Sequence, residues 1–250
     1  MNNNEQLPEY CVYCIISEKA NVKIEVSVMI KNTRAALAFR IAATLIAAAG
    51  FLDLLGVFSG SFHPEVLYYY TAQSNILVIA LFVILSARTA SGNLKGTEQS
   101  ARCCPRFEMV CTIDILLTFC VFWALLVPYM AGEFYLWTFS NLAVHAITPL
   151  LCLLDYILFS ERRRLKHRDV YYVAIFPICY VIYSSVAGLA GHVYGISQTD
   201  GKPVRFPYFF FDFDRIGALA LAYIGGLLIF FFIVGYIFYY LDSRASKTPK

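Results

Sequence analysis

Residues 68–82 read YYYTAQSNILVIALF: three tyrosines, a polar run over residues 71–75, and then a long apolar stretch. Tyrosine and tryptophan gather at the boundaries of a bilayer, so this order is typical of a chain that is entering a membrane. Residues 135–151, YLWTFSNLAVHAITPLL, repeat the order aromatic, Thr, Ser, Asn and then add His145. Two segments therefore place hydroxyls, amides and one imidazole just inside the predicted boundary.

The rest of the chain fits a membrane protein. Of its 250 residues 59% are hydrophobic and 15% charged, with a mean hydropathy of +0.62, whereas a soluble domain has about 25% charged residues. A hydrocarbon layer of ~30 Å takes about 20 apolar residues to cross. Backbone polar groups in lipid must pair within the segment, which favours helices. We predict an all-α polytopic membrane protein, a bundle of six transmembrane helices at 35–58, 66–87, 109–130, 137–159, 170–191 and 216–241.

The basic residues predict the orientation of this bundle. The N-terminal tail, the second loop, the fourth loop (ERRRLKHRD) and the C-terminal tail carry four, four, five and three Lys or Arg residues, while the first and third loops have none and the fifth has three. Positively charged loops stay on the cytoplasmic side, so both termini are expected there. The net charge of +3 then reflects topology, and nothing indicates binding to nucleic acid. In a bacterial source the location would be the cell membrane.

Three regions follow from this topology: a cytoplasmic segment at 1–32, a six-helix domain at 33–242 and a cytoplasmic tail at 243–250. The stretch VKIEVSVMI alternates apolar and polar residues like a short strand. Met29 is an alternative start of the protein. Two cysteine pairs on the cytoplasmic side offer a zinc site as an alternative to reduced thiols; they are Cys11, Cys14, Cys103 and Cys104.

Charged residues form an inner level of the predicted bundle. Arg40, Asp114 and Asp155 each lie about four or five residues from the cytoplasmic end of their predicted helix, a depth of ~6–9 Å. An unpaired charge at such a depth costs a few kcal/mol, which favours one arginine facing two carboxylates. We therefore predict a structural ion network, the alternative being that each group reaches the headgroups separately.

Polar residues form a richer outer level. One face of the second predicted helix carries, at i, i+3 and i+4, Thr71, Ser74 and Asn75. One stripe of the fourth carries, at i, i+3 and i+7, Thr138, Asn141 and His145. Asp53 approaches the same level from the first helix. Pro149 has no N–H for the carbonyl of residue 145, so the fourth helix should kink at the histidine and leave that carbonyl free.

Three interpretations of the outer level remain open. Polar side chains hydrogen-bond across membrane helices and can serve only to hold them together. In a catalytic interpretation Thr71 attacks, His145 takes the proton, and Asn75 or Asn141 stabilises the negative charge, with Ser74 and Asp53 in support. In the third, a metal-dependent hydrolase binds zinc through His63, His145 and His192. The spacing of the histidines matches no metalloprotease motif, and no metal or other cofactor is expected.

Three stretches together resemble a known family: YYYTAQSNILV, FSNLAVHAITPLLCLLDYILF and RFPYFFFDFDRIG. They look like the signature regions of the Pr6Pr family of bacterial membrane proteins, which are similar in turn to the androgen-induced membrane hydrolases of eukaryotes. The resemblance covers about residues 35–241. It departs from the family where proline commonly follows the tyrosine, since this chain has Phe209 there.

The resemblance implies a six-helix bundle that hydrolyses fatty acid esters of hydroxy fatty acids, with Thr71 as nucleophile and His145 as base. A membrane lipid would then be the partner and a lipid ester the substrate, which places the protein in lipid metabolism. The residues 206–211 could cover the site, although aromatic residues gather at membrane boundaries in any case. A small-solute transporter and a non-enzymatic membrane scaffold remain the alternative functions.

Overall fold

The computed structural model describes residues 30, 32–95, 105–129, 134–162, 164–197 and 200–244. The N-terminal segment up to residue 29, with its predicted strand and the alternative start at Met29, lies outside the described residues. So do the tail from residue 245 and the four cysteines of the zinc hypothesis.

Six helices in the described part of the chain are long and apolar enough to cross a membrane. They are α1 (Thr33–Leu54), α2 (Tyr70–Leu94), α3 (Pro105–Leu126), α4 (Phe139–Phe159), α5 (His167–Leu189) and α6 (Leu219–Arg244). Short elements join them: 3₁₀ turns at Pro64–Tyr68, Phe134–Trp137 and Phe209–Phe211, single helical turns at Val127–Tyr129 and Phe213–Ile216, and one small antiparallel hairpin of Gly195–Ile196 with Pro203–Val204. The fold is helical, as the sequence predicts.

The helix boundaries shift from their predicted positions for local reasons. Pro64 begins a separate 3₁₀ turn and Tyr69 is extended (φ −91°, ψ 146°), so α2 begins at Tyr70 and not at residue 66. Pro105 occupies the first turn of α3, where its missing N–H has no helical partner to lose. Gly217, at φ +54°, separates the turn Phe213–Ile216 from α6. The starts of α2 and α3 set the depths of Thr71 and Asp114.

Three of the six helices are not uniform α-helices. The α3 helix ends in a π-helical turn at Phe122–Leu126, and α4 contains a second one at Ala143–Ile147. The α5 helix begins with a 3₁₀ segment at His167–Ala174. Single π-turns inside helices occur frequently at functional sites. The two found here lie against each other.

Helices α1 to α4 pack together, and α6 packs on α3 and on the first turns of α5. A Cβ on Gly50 of α1 would overlap the Cβ of Ala143 in the π-turn of α4, so the glycine lets these two helices approach closely. Large apolar side chains such as Leu45, Ile182 and Ile229 are exposed. Arg40 is buried. Apolar residues outside and charged residues inside are the arrangement expected of a bundle in lipid.

Candidate active site

Thr71 and His145 meet at the outer level of the bundle. Thr71 is the second residue of α2, and His145 is the middle residue of the π-turn in α4. The Thr71 Oγ1 and His145 Nε2 atoms lie 3.3 Å apart and partly buried. A hydroxyl and an imidazole in hydrogen-bonding contact are the elements of an activated nucleophile, and such contacts are often slightly long before substrate binds.

The contact made by the other ring nitrogen of His145 determines which of the two nitrogens carries the proton. His145 Nδ1 lies 3.1 Å from the main-chain carbonyl oxygen of Asn141. A carbonyl can only accept, so in the neutral ring Nδ1 carries the hydrogen and Nε2 presents its lone pair to Thr71. Thr71 then donates to His145. The imidazole is therefore in the tautomer that a general base requires.

Packing on α3 holds the imidazole in place. The ring of Phe122 stacks on that of His145 with centroids 3.7 Å apart and planes 17° apart. Trp123 Nε1 donates to the carbonyl oxygen of His145 at 3.1 Å. This carbonyl is the one for which Pro149 has no N–H to offer. The π-turns of α3 and α4 thus meet at the histidine: α3 supplies a ring and an indole N–H, and α4 supplies the imidazole.

The remaining polar residues of the outer level are engaged in other bonds. Asn75 is buried, and its Nδ2 donates to the carbonyls of Thr71 (2.8 Å) and Val144 (3.1 Å). Both of its amide hydrogens are therefore in use, and in this structure Asn75 has no free N–H for the predicted oxyanion. Asn75 instead ties α2 to the π-turn of α4, and its Oδ1 has no partner among the described residues.

Asn141 and Ser74 also act differently from the prediction. Asn141 Nδ2 donates to the carbonyl of Leu136 at 2.9 Å, so its main-chain oxygen, and not its amide, serves the site by orienting His145. Ser74 Oγ donates to the Thr71 carbonyl (3.1 Å) and pairs with Thr118 Oγ1 (2.9 Å). Thr138 caps the start of α4 by accepting from the Asn141 N–H. The Asn141 amide and the Ser74 hydroxyl thus donate to backbone carbonyls around the site.

Asp53 and the other two outer histidines do not join the pair. Asp53 is one residue from the end of α1, and no hydrogen bond of its carboxylate to Thr71 or His145 occurs in the described structure. His63 pairs with Glu65 on the exposed turn (3.0 Å), while His192 stacks on Tyr68 (3.8 Å between centroids). No three His, Cys, Asp or Glu side chains converge on a metal position anywhere in the described ranges. The three-histidine zinc hypothesis therefore has no geometric basis there.

Tyr208 is a site residue that the sequence analysis did not single out. Its phenol oxygen accepts the main-chain N–H of Tyr70 at 3.1 Å, and it also lies beside the hydroxyl of Thr71. It comes from the connection that leads into α6, where the ring stacks on Phe210 (centroids 5.1 Å, planes 4° apart). The sequence signal is the stretch RFPYFFFDFDRIG, whose aromatic residues predict a cover over the site but do not indicate which hydroxyl faces it.

A cavity of about 180 Å³ opens beside Thr71. By the same measure one water needs about 10–15 Å³. Its polar lining residues are Tyr70, Thr71, Thr118, Tyr180 and Tyr208, and the rest of its wall is apolar. The apolar lining comes from α3, α5, α6 and the Phe209–Phe211 turn, and includes Phe122, Ile178, Ile182, Ile224, Leu227 and Phe231.

The inner level is a pair of separate contacts and not the predicted three-residue network. Arg40 Nε and Nη2 bind Asp155 Oδ1 and Oδ2 at 2.8 and 3.3 Å, and its Nη1 donates to Thr89 at 2.7 Å. Asp114 does not belong to this group. It accepts from the hydroxyl of Tyr70 at 3.3 Å, because α3 starts four residues earlier than predicted and carries Asp114 deeper into the bundle.

No family model, curated protein or solved structure matches the chain. The resemblance to the Pr6Pr family therefore stays a prediction from the three motifs, and the function is argued from the geometry of the site.

Proposed function

We propose that this chain is a multi-pass integral membrane protein that hydrolyses lipid esters, with Thr71 as nucleophile and His145 as general base. The observation that carries the proposal is the 3.3 Å contact between Thr71 Oγ1 and His145 Nε2 at the edge of an apolar cavity. The tautomer of the imidazole supports it further, because a ring that donates from Nδ1 to Asn141 can accept the proton of Thr71 at Nε2.

The reaction needs only groups that the site contains, a lipid ester and one water. Thr71 Oγ1 attacks the ester carbonyl while its proton moves to His145 Nε2. The tetrahedral intermediate collapses, the bond to the alcohol breaks, and His145 returns the proton to the leaving oxygen. Water then attacks the acyl-threonine with His145 again taking a proton, which releases the fatty acid and restores Thr71. Asn141 keeps the ring oriented through both half-reactions.

The cavity supports a long acyl chain as substrate. Its wall includes Ile178 and Ile182 of α5, whose side chains are exposed on the outside of the bundle at 44% and 59%. Residues that line the cavity and are also exposed are what a lateral opening between α5 and α6 would require. An acyl chain in the adjacent leaflet would reach Thr71 through this opening without leaving hydrocarbon. The family resemblance points to the same class, esters of hydroxy fatty acids.

The orientation is proposed from the distribution of basic residues. Both termini lie in the cytoplasm, which places the starts of α2 and α4 at the outer face. Thr71, one residue into α2, then lies close to the outer boundary, near the depth of lipid ester bonds. The positive end of the α2 dipole also favours the negative charge that develops at Thr71.

The test is hydrolysis of a fatty acid ester of a hydroxy fatty acid by the purified protein in mixed micelles. Removing a general base costs roughly 10²–10⁴-fold in rate. The rate of hydrolysis by His145→Ala should therefore fall by that factor, and the rate of Thr71→Ala should fall at least as much. Thr71→Ser keeps a hydroxyl and should retain activity. His192→Ala is the matched control because it removes another histidine of the outer level that stacks on Tyr68. Full activity of Thr71→Ala would refute Thr71 as the nucleophile, and an inactive wild type would leave the transporter or the scaffold.

A further inference from the structure

The residues assigned so far to ester hydrolysis at Thr71 include no hydrogen-bond donor for the oxyanion. Attack on a carbonyl puts a negative charge on its oxygen, and a preorganised donor for that oxygen is commonly the largest single contribution to the rate. Both amide hydrogens of Asn75 and one of Asn141 are bound to backbone carbonyls, and Ser74 donates to the Thr71 carbonyl. A donor for the oxyanion would therefore be a further group beside Thr71.

The phenol of Tyr208 lies where such a donor is needed. Its oxygen is bound by the N–H of Tyr70, the residue next to the nucleophile, and it lies beside the Thr71 hydroxyl itself. Tyr208 and Thr71 line the same cavity. An ester whose carbonyl carbon is held over Thr71 Oγ1 would therefore have its carbonyl oxygen near this phenol.

The Tyr208 O–H has a neighbour that a substrate can replace. Tyr180 donates its own hydrogen to the carbonyl of Tyr68 at 3.1 Å, and its hydroxyl is hydrogen-bonded to Tyr208. An ester carbonyl oxygen at Thr71 would take the place of Tyr180 as the acceptor of the Tyr208 O–H. Burial raises the pKa of Tyr208 to about 12, although hydrogen bonds from its neighbours oppose this. The phenol therefore keeps its proton throughout the physiological range. The Tyr70 N–H occupies a lone pair of the phenol oxygen and leaves the O–H group to donate.

We propose that Tyr208 is the oxyanion donor of the site, an inference that rests on the proposed hydrolysis at Thr71. When the Thr71 Oγ1–carbon bond forms, the π electrons of the carbonyl move to its oxygen and the threonine proton goes to His145. The Tyr208 O–H donates a hydrogen bond to that oxygen without transferring its proton. The bond weakens again when the carbonyl re-forms and the alcohol leaves. In this proposal the segment at 206–211 both covers the site and supplies a hydrogen-bond donor to the reaction.

The experiment compares kcat and KM for the same ester in wild type, Tyr208→Phe and Tyr194→Phe. Phenylalanine keeps the ring that stacks on Phe210 and removes only the hydroxyl. Loss of one oxyanion donor costs about 10²–10³-fold in kcat, and KM should change little because the bond strengthens only in the transition state. Tyr194 is the matched control: it belongs to the same outer group of tyrosines, and its hydroxyl has no hydrogen-bond partner among the described residues.

A second variant separates chemistry from folding. Incorporation of 3-fluorotyrosine at position 208 keeps the hydroxyl and should retain at least wild-type kcat, whereas a purely structural defect of Tyr208→Phe would appear as a lower thermal stability. An active wild type with unchanged kcat in Tyr208→Phe overturns the role of Tyr208 alone. An inactive wild type overturns the proposed hydrolase and the oxyanion donor together. The pattern expected is a low kcat for Tyr208→Phe only.

Discussion

Arg40 is the largest of the fully buried side chains in the described residues, and each of its three nitrogens donates to Asp155 or to Thr89. The guanidinium meets the carboxylate through two nitrogens, which is the geometry that best offsets the loss of hydration. A buried pair of this kind adds little net stability, but removing one partner leaves the other charged and unpaired. This asymmetry makes the pair easy to test.

We predict that Arg40→Ala lowers the free energy of unfolding by about 3–5 kcal/mol, the usual cost of a broken buried pair. Arg40→Ala with Asp155→Ala should recover part of that loss, because the stranded carboxylate is gone. Arg40→Ala with Asp114→Ala should recover nothing, since Asp114 bonds to Tyr70 instead. The measurement is thermal unfolding in detergent. Equal recovery with either aspartate would contradict the assignment.

The depth of a residue, counted from the predicted end of its helix, is reliable only where that end is predicted correctly. Counting from the predicted ends of helices placed Thr71 and His145 at similar levels, and the structure brings their side chains into contact. The same counting failed for Asp114, because Pro105 starts α3 early and puts Asp114 nine residues, or about 14 Å, along the helix. The acceptor of the Nδ1 hydrogen of His145 cannot be predicted from the sequence, because every residue has a main-chain carbonyl and residue type does not indicate which one accepts.

The π-turn in α4 is the element that presents His145. Pro149 cannot donate to the carbonyl of residue 145, and the indole of Trp123 donates to it from the neighbouring helix. Pro149 thus predicts that α4 is irregular near His145. That the irregularity is a π-turn, and that an indole of α3 donates to the carbonyl, depend on packing between the helices. The position of the Tyr208 hydroxyl cannot be predicted from the sequence, because the segment that carries it has no helical or strand periodicity from which to place its side chains.

We predict that Trp123→Phe destabilises the protein by about 1–3 kcal/mol, the cost of leaving a buried acceptor without its donor. Adding Pro149→Ala supplies an N–H for the same carbonyl, so the double variant should lose less stability than the sum of the two single changes. Trp123→Phe with Pro177→Ala is the control, because Pro177 lies on α5, and these two effects should add. Strict additivity in both pairs would show that the proline and the indole do not share an acceptor.

At the scale of the whole molecule, the cavity beside Thr71 lies under α6, whose outer face is apolar and exposed. We predict that Leu227→Trp fills part of this cavity and selects against long substrates. Overpacking of 1–3 kcal/mol corresponds to about a 5- to 150-fold loss in kcat/KM for a palmitoyl ester, while hydrolysis of an acetyl ester should be nearly unchanged. Ile229→Trp is the control on the exposed face of the same helix. Equal losses for both ester lengths would argue against an acyl site.

The orientation of the bundle has its own test. Ser61 and Ser243 are both exposed, at the α1–α2 connection and near the end of α6. In a background without native cysteines, Ser61→Cys should react with an impermeant maleimide on intact cells, because its connection carries no Lys or Arg and is predicted to face outward. Ser243→Cys should react only after permeabilisation. The reverse pattern would place the Thr71 site on the cytoplasmic side.

The central claim is that the Thr71 hydroxyl attacks a carbonyl or phosphorus centre with help from His145. The most direct measurement is mass-spectrometric location of the adduct after the protein reacts with a fluorophosphonate probe, which traps activated hydroxyls. The account predicts a phosphonyl group on Thr71 in the wild type and none on Thr71 in His145→Ala. An adduct on Ser74, or equal labelling of Thr71 with and without the imidazole, would contradict it.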